Sequence, residues 1–300
     1  MDVKQNVGLK NKFEIVVSDA DSGEIRQKGY AENIVLDQMY SRLVNFQSYF
    51  THIHFGKGTG TTEPTRTSLF SFLGQKSTVT EEKKRSLPTS HWICKIVLNP
   101  EEYVGEELTE VGVAYGTSAS NLVTHALIQD SEGNPISISK TGTDVVVIYA
   151  TIFIELGELD SMYGGKVRWI TPLENNQLLD YLLGESYYSS SRWWGSVSEG
   201  YLGGTSVVAT SDWIKDAANK RVTTPVRRFG ISTANGPVRS IGFGSSNTKG
   251  IFRMIFPVPG VWSGASIADN LIGTGDGTTK EFKLKWNGAI PDTQEIKIDG

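Results

Sequence analysis

The chain has 300 residues, of which 29 are basic and 33 acidic, for a formal charge of −4 at pH 7. This near-neutral balance lacks the basic excess with which nucleic-acid-binding proteins neutralise phosphates, so no nucleic-acid partner is expected. The single cysteine excludes an internal disulfide. The most apolar run, residues 145–154, is too short to span a bilayer, and the first residues lack the apolar segment of a signal peptide, so neither membrane insertion nor secretion is expected.

Two antiparallel strands and a helix are predicted first. Residues 13–17 and 24–30 are rich in strand-forming side chains, and the segment 19–23 between them holds the Asp, Ser and Gly typical of a turn. Alternate carboxylates in this turn resemble the start of a calcium loop, but no acid stands where such a loop would end, which favours a hairpin. Apolar residues that return to one helical face then predict an amphipathic helix over residues 34–47, with Asn33 as its N-cap.

A β-rich domain is predicted to occupy residues 1–160, including this hairpin and helix. Its further strands are short apolar segments bounded by Gly, Asn, Pro and Ser: residues 52–55, 92–98, 110–114, 122–128 and 145–154. Small residues at 161–166 predict a linker after this domain.

A second β-rich domain is predicted over residues 167–262. Leucines at helical spacing predict one short helix over residues 175–183, which Gly184 would end. The remaining apolar segments predict strands at residues 206–209, 229–232, 238–242 and 252–258, the last of them closed by Pro257 and Pro259.

The last segment, residues 263–300, is predicted to be a Gly-rich linker and the beginning of a small β module, with strands at 281–286 and 295–298. A terminal strand with one partner leaves an open edge, so either the native protein is longer or a neighbouring chain completes the sheet. The whole pattern predicts a mainly β protein of β-sandwich-like domains, with one N-terminal amphipathic helix and a short second helix.

The residues that could carry chemistry form no strong motif. His52 and His54 lie on the same side of one predicted, half-exposed strand, but no third ligand or supporting acceptor is near in sequence, so no metal site is expected. Cys94 and His91 are predicted on opposite faces of a strand, which prevents them from pairing as nucleophile and base. No hydrolase or protease motif occurs, so neither an enzyme nor a cofactor is expected.

Two glycine-rich segments, residues 56–62 and 273–279, look like phosphate-binding loops. Neither has a lysine followed by Ser or Thr, and neither opens a predicted helix. Their glycines are therefore expected to supply positive φ angles for tight turns. The acid pairs at residues 81–82, 101–102 and 106–107 are typical of a solvated surface.

An aromatic patch stands among Ser and Gly in the second predicted domain: Tyr187, Tyr188, Trp193, Trp194 and Tyr201. Exposed rings on such a loop would stack on sugars or form an oligomer interface. The alternative, which the size of the domain favours, is that these rings fill its core.

Five features follow one another between residues 33 and 156. They are a helix entered through Asn at 33–36; the segment 55–64, Phe-Gly-Lys-Gly-Thr-Gly-Thr-Thr-Glu-Pro; an alternating strand at 92–98; the segment 108–114, Leu-Thr-Glu-Val-Gly-Val-Ala; and Ile-Ser-Lys-Thr at 138–141, ahead of the apolar strand 145–156. In this order, and over about half of the chain, they resemble the N-terminal attachment domain of bacteriophage tail fibre, tail-collar fibre and baseplate proteins. Residues 273–282 are similar to the start of the small β modules of phage adhesion proteins.

The resemblance implies a non-enzymatic virion protein of the tail or baseplate, assembled in the host cytoplasm, that anchors or forms a fibre and positions host recognition. Its expected partners are further copies of itself, as a homotrimer or a ring multiple, other tail or baseplate proteins, and a host surface glycan. Two alternatives stay open: a head or neck decoration or fibre protein of the virion, and a carbohydrate-binding adhesion module.

The residues predicted to act in assembly or docking come from the glycine-rich loop and from a charged span that follows it: Gly56, Gly58, Gly60, Pro64, Glu81, Glu82, Lys83, Lys84 and Arg85. Glycine-rich exposure and clustered charge motivate this choice. The stretch after Pro64 is longer and more charged than the family pattern, which leaves open the partner against which it docks.

Overall fold

A computed structural model of the chain describes residues 6–159, 166–185, 191–196, 206–210, 213–223, 236–244 and 249–262. These residues are mainly β, as the sequence predicts, and they form several sheets and two α-helices. The predicted strands at 229–232, 281–286 and 295–298 lie outside the described residues, as does the whole of 263–300.

The strands are, in chain order, β1 (Val7–Asp19), β2 (Ile25–Glu32), β3 (Ile34–Val35), β4 (His52–Gly56), β5 (Phe72–Ser77), β6 (Val79–Lys84), β7 (Thr89–Leu98), β8 (Glu107–Leu108), β9 (Glu110–Ala114), β10 (Thr124–Leu127), β11 (Ile138–Ser139), β12 (Asp144–Leu156), β13 (Lys166–Trp169), β14 (Ser191–Ser196), β15 (Ser206–Thr210), β16 (Ile214–Asp216), β17 (Arg221–Thr223), β18 (Gly236–Gly244) and β19 (Phe252–Trp262). The helices are α1 (Asp37–Val44) and α2 (Gln177–Leu182).

The first sheet is antiparallel throughout and has the order β2-β1-β12-β7-β6. Buried and more exposed positions alternate along β7, β12 and most of β1, so that Ile15 and Val17 of β1 point into the core. The predicted hairpin is confirmed as β1 and β2. The carboxylate of Asp19 holds its turn by accepting a hydrogen bond of 2.9 Å from the backbone N–H of Ser22.

The second sheet has the order β3-β10-β9-β4-β5. Its first strand consists of residues that the sequence assigns to the helix over 34–47, and it pairs with Thr124 and His125 of β10. The β-branched side chains of β3 suit a strand, and this long-range pairing outweighs the helical periodicity. The helix therefore begins only after β3, and the predicted N-cap Asn33 instead donates a side-chain hydrogen bond to Asn11.

One hydrophobic cluster contains buried side chains of both sheets. The first sheet contributes, among others, Ile96 and Ile148, and the second contributes Ile53, Phe55 and Val113. Side chains of the predicted strands 52–55, 92–98, 110–114 and 145–154 are therefore part of this core.

The helix predicted over 175–183 is α2, which begins later than expected. The side chain of Asn176 caps it by accepting hydrogen bonds from the backbone N–H groups of Leu178 (3.1 Å) and Leu179 (3.2 Å). Gly184, with a φ of +67°, ends it as predicted. Tyr181 of α2 donates a hydrogen bond of 3.0 Å to the carbonyl of Leu43, so α2 contacts α1.

The third sheet has the order β13-β19-β18-β14-β15. The prediction that Pro257 and Pro259 close its last strand is wrong, because β19 continues through both residues. The register between β18 and β19 shifts at this place: Ser240 pairs with Ile255, whereas Val238 pairs with Gly260. Proline lacks a backbone N–H, and such an irregularity is where a strand tolerates it.

Candidate docking site

A buried carboxylate organises the glycine-rich loop that joins β4 to β5. The side chain of Glu110, in β9, is fully shielded from solvent. Its Oε1 accepts hydrogen bonds from the backbone N–H groups of Gly58 (2.9 Å) and Ser71 (2.7 Å), and its Oε2 accepts one from Phe70 (2.8 Å). Nε2 of His125 lies 2.9 Å from the same Oε2. The carboxylate thus joins both ends of the loop to two strands of the second sheet.

Electrostatics of this buried site favour the ionised carboxylate. Burial by itself raises the pKa of Glu110, but the hydrogen bonds from His125 and from three backbone N–H groups lower it by more. The net effect holds the pKa of Glu110 below its ordinary value. An anion with four donors is satisfied inside the protein, so Glu110 is suited to a positioning role.

Gly60 has the positive φ that was predicted for the loop glycines, whereas Gly56 and Gly58 serve a different purpose. A Cβ atom on Gly56 would stand 2.4 Å from the Ser71 carbonyl oxygen, and one on Gly58 would stand 2.3 Å from Cβ of Phe70. Both would also lie 2.7 Å from Oε1 of Glu110. Neither of these two glycines has a positive φ, so close approach of the backbone to the carboxylate is what requires them.

The middle of the loop is exposed although its ends are fixed. Gly60 is exposed, has a φ of +155°, and lies against the ring of Phe70. Pro64 is exposed as well, and its carbonyl accepts a hydrogen bond of 2.9 Å from the backbone N–H of Asp37 at the start of α1. The result is an exposed turn on a rigid base.

A buried lysine holds a second turn of the sequence pattern, the Ser-Lys-Thr segment. Lys140 is 2% exposed, and its ammonium donates to the carbonyls of Pro100 (2.8 Å), Thr141 (3.0 Å) and Asp144 (2.6 Å). Removal from water lowers the pKa of Lys140, and the nearby Asp144 carboxylate opposes that shift. The strand before it, β11, pairs with β8, which immediately precedes β9 and its Glu110.

The charged span is an edge strand with intrachain partners. Glu81 pairs with Lys95 (2.6 Å), Glu82 with His91 (3.5 Å) and Lys83 with Glu185 (3.8 Å), whereas Lys84 is exposed and makes no ion pair among the described residues. These pairs leave the charges of the strand at the surface, where ion pairs are weak.

Arg85 differs from the rest of the span, because its side chain is only 12% exposed. It donates to the carbonyl of Leu173 (3.0 Å) and to the buried carboxylate of Asp180 (2.5 Å). Arg85 therefore links the end of β6 to α2. Contrary to the prediction, it is not part of an exposed docking surface.

The loop and the charged span are not brought together. The loop ends where β5 of the second sheet begins, whereas the span lies in and directly after β6, an edge strand of the first sheet. The predicted aromatic loop is in part a strand: Trp193 and Trp194 belong to β14, between β15 and β18. Tyr187, Tyr188 and Tyr201 lie outside the described residues.

The histidines and the cysteine that were considered for chemistry lie in surroundings typical of structural residues. His54 is fully buried, contrary to the half-exposed strand that was predicted, and its Nε2 lies 2.8 Å from the Gly116 carbonyl. Within the described part of the chain, no three His, Cys, Asp or Glu side chains are grouped as metal ligands. Burial raises the pKa of Cys94 to about 11, so its thiol stays protonated, and His91 faces the other side of β7 as predicted.

Glu110, His125 and Lys140 are the functional candidates that sequence reasoning missed. The signal for Glu110 is a carboxylate inside an otherwise apolar strand, a position that needs a buried partner. Comparison of the chain with protein-family models, curated proteins and solved structures finds no match. Neither described helix is long and apolar enough to cross a membrane.

Proposed function

We propose that the chain is a structural protein of a bacteriophage tail or baseplate that anchors or forms a fibre and positions host recognition. One observation carries the proposal most: Glu110, from the Glu-Val-Gly-Val segment of the family pattern, binds the backbone of the glycine-rich loop, another segment of that pattern. Segments that stand far apart in the sequence pattern thus form one site. This supports their having a common purpose.

The geometry of this site suits docking. The loop presents an exposed turn, and three backbone hydrogen bonds to Glu110 fix the ends of that turn before any partner arrives. A preorganised loop loses less conformational entropy on binding than a flexible one. We assign residues 59–65 as the part of the loop that contacts another tail or baseplate protein.

The fold supports the same role. We propose that the first two sheets, whose buried side chains share one core, form a β-sandwich-like attachment domain with α1 at its border. The chain would associate with copies of itself as a homotrimer or a ring multiple, and the complete virion would be assembled in the host cytoplasm. Parts of the assembly outside this domain would bind a host surface glycan.

Labelling of virus particles tests the proposal. Antibodies raised against the purified chain, coupled to gold, would be applied to particles induced from the organism that encodes it. We expect label at the tail tip or baseplate. Label on the head or neck would favour the decoration alternative, and particles that lack the chain altogether would overturn the proposal.

A matched set of variants extends this test to the loop. Thr61→Asp and Pro64→Asp change exposed positions of the turn without touching Glu110, whereas Thr117→Asp makes the same change at an exposed position outside the loop. We expect the first two variants to be folded but poorly incorporated into particles, and the third to be incorporated normally. Equal incorporation of all three would contradict the docking role of the loop.

A further inference from the structure

The first sheet has two open edges that run in the same direction. Each of its neighbouring strands is antiparallel, and the sheet has five strands, so the outer strands β2 and β6 are parallel to one another. Among the described residues, β6 pairs only with β7. The outer edge of β2 is bridged at Tyr30 by Gln129, and β11 lies near it, where the Gln27 side chain donates a hydrogen bond of 2.7 Å to the Ser137 carbonyl. No described strand pairs with residues 25–28 on that side.

Both edges carry the same pattern of residues on the same face. In β2, a bulge separates Ile25, which is opposite Ser18, from Lys28, which is opposite Val16. Both of these β1 partners belong to the outer, half-exposed face of the sheet. Ile25 and Lys28 therefore share that face although they are three residues apart, because the bulge adds one residue between them.

The same spacing recurs in β6. A bulge there separates Val79, opposite Lys95, from Glu82, opposite Ile93, and both of these β7 partners again belong to the outer face. The two apolar residues of the pattern are unusually exposed, Ile25 at 54% and Val79 at 61%. Each edge thus offers one exposed apolar residue and, three residues later, one charge, and the two charges have opposite signs.

The two charged residues are weakly engaged within their own chain. Lys28 lies 3.5 Å from Glu14, and Glu82 lies 3.5 Å from His91; the side chains of Lys28 and Glu82 are 43% and 53% exposed. Surface ion pairs of this kind contribute little to stability. Both residues can therefore take a partner from another molecule at small cost.

We propose that β6 of one copy pairs in parallel with β2 of the next copy, with Val79 beside Ile25 and Glu82 beside Lys28. The spacing and the face match in this register, since in each strand the apolar residue and the charge stand three residues apart on the outer face. Charges and bulges also protect a sheet edge from unspecific pairing, so an edge that carries them pairs only with a complementary one. The inference rests on the proposed structural function and adds the surface through which copies join.

A joint between two β2 edges would bring Lys28 of both molecules to the same edge, where like charges repel. An antiparallel joint of two β6 edges would match Glu81 and Glu82 with Lys83 and Lys84, but it leaves the β2 edge without a partner. The head-to-tail joint engages both edges. Such a joint uses different surfaces on the two partners, and it therefore closes into a ring or continues as a row. In a ring, the last joint forms within one assembly and gains from high effective concentration.

Light scattering on the full chain, with charge reversal, tests this joint. The wild-type mass is expected to be three or more times that of one chain. Glu82→Lys and Lys28→Glu should each reduce it to that of a single chain, and the double variant, in which the charges are exchanged, should restore it. Lys10→Glu, which reverses an exposed charge on the inner strand β1, should leave the wild-type mass unchanged. Val79→Lys, at an exposed position that tolerates a polar side chain, should also give single chains.

The outcomes separate this inference from the proposed function. A monomeric wild type, single variants that keep the wild-type mass, or a double variant that stays monomeric would each overturn the pairing of these edges. If the purified chain is monomeric but antibodies against it nevertheless label the phage tail, only the joint would be overturned. Assemblies that form as described but are absent from virus particles would overturn the proposed function and leave the joint standing.

Discussion

Nε2 of His125 lies 2.9 Å from the carboxylate of Glu110, and neither side chain is exposed to solvent. Because the ionised carboxylate accepts hydrogen bonds only, the imidazole is the donor in this pair. The pair joins β9 and β10, and through the remaining bonds of Glu110 it fixes the backbone of the glycine-rich loop. The glycine-rich loop is thereby attached to the interior of the second sheet.

Removal of the charge at Glu110 should loosen this loop. Glu110→Gln keeps the shape of the side chain but replaces one acceptor oxygen with an N–H₂ group. That group then faces N–H donors that bind the carboxylate in the wild type. We expect the free energy of unfolding to fall by about 2–4 kcal/mol, as for a broken buried hydrogen-bond network. Urea denaturation measures this free energy. Glu107→Gln, an exposed neighbour in β8, should change it by less than about 0.5 kcal/mol.

Amide hydrogen exchange locates the same effect. The N–H groups of Gly58, Phe70 and Ser71 donate to Glu110 and should exchange faster in Glu110→Gln than in the wild type. Unchanged exchange at these three amides would show that the carboxylate does not hold the loop.

Stability should depend on pH through Glu110. Its pKa is lowered in the folded protein, so the unfolded chain binds the proton more readily than the folded one. The stabilisation is therefore complete above the unfolded pKa, near 4.5, and is lost as the pH falls below that value through the folded pKa. The difference in unfolding free energy between wild type and Glu110→Gln should shrink as the pH falls from about 5 to about 3. A difference that stays constant over this range would contradict the assignment.

Gly58 and Gly142 offer a matched pair of glycine substitutions. Alanine at Gly58 would place Cβ 2.3 Å from Cβ of Phe70, whereas alanine at Gly142 meets nothing closer than 3.8 Å. We expect Gly58→Ala to cost about 2–4 kcal/mol, since backbone and a buried carboxylate must move, and Gly142→Ala to stay within about 0.5 kcal/mol. Thermal unfolding compares them, and equal melting temperatures for the two variants would refute the close approach.

Lys140 should be essential to the turn before β12. Lys140→Met keeps a long unbranched side chain but leaves the carbonyls of Pro100, Thr141 and Asp144 without their shared donor. A loss of about 2–4 kcal/mol in unfolding free energy is expected. The exposed Lys84→Met is the control, and its stability should remain near that of the wild type. Equal stability of both variants would show that the carbonyls find other donors.

Local patterns predict much of this fold. A short apolar segment identifies β9 with its observed bounds, and the Asp-rich turn identifies the hairpin of β1 and β2. The helix over 34–47 is mispredicted at its start because residues 34–35 pair with Thr124 and His125 of β10, far along the chain. A short stretch of neighbouring residues in the sequence does not show such a pairing.

The candidate site is less visible in the sequence for a related reason. Glu110 draws its partners from the backbone, and a backbone N–H carries no residue type that a pattern could show. The need for glycine at positions 56 and 58 is visible, but its cause is not, since the atoms that a Cβ would meet come from Ser71, Phe70 and Glu110. Distant contacts, rather than local propensity, determine the geometry of the loop.

The number of chains in each virus particle tests the central claim most directly. Purified particles from the organism that encodes the chain would be analysed by quantitative mass spectrometry against labelled peptides of the chain and of the major tail protein. The account predicts a fixed copy number per particle of three or more, in agreement with a trimeric fibre or a ring. A copy number of zero, or one that varies between preparations of intact particles, would contradict it.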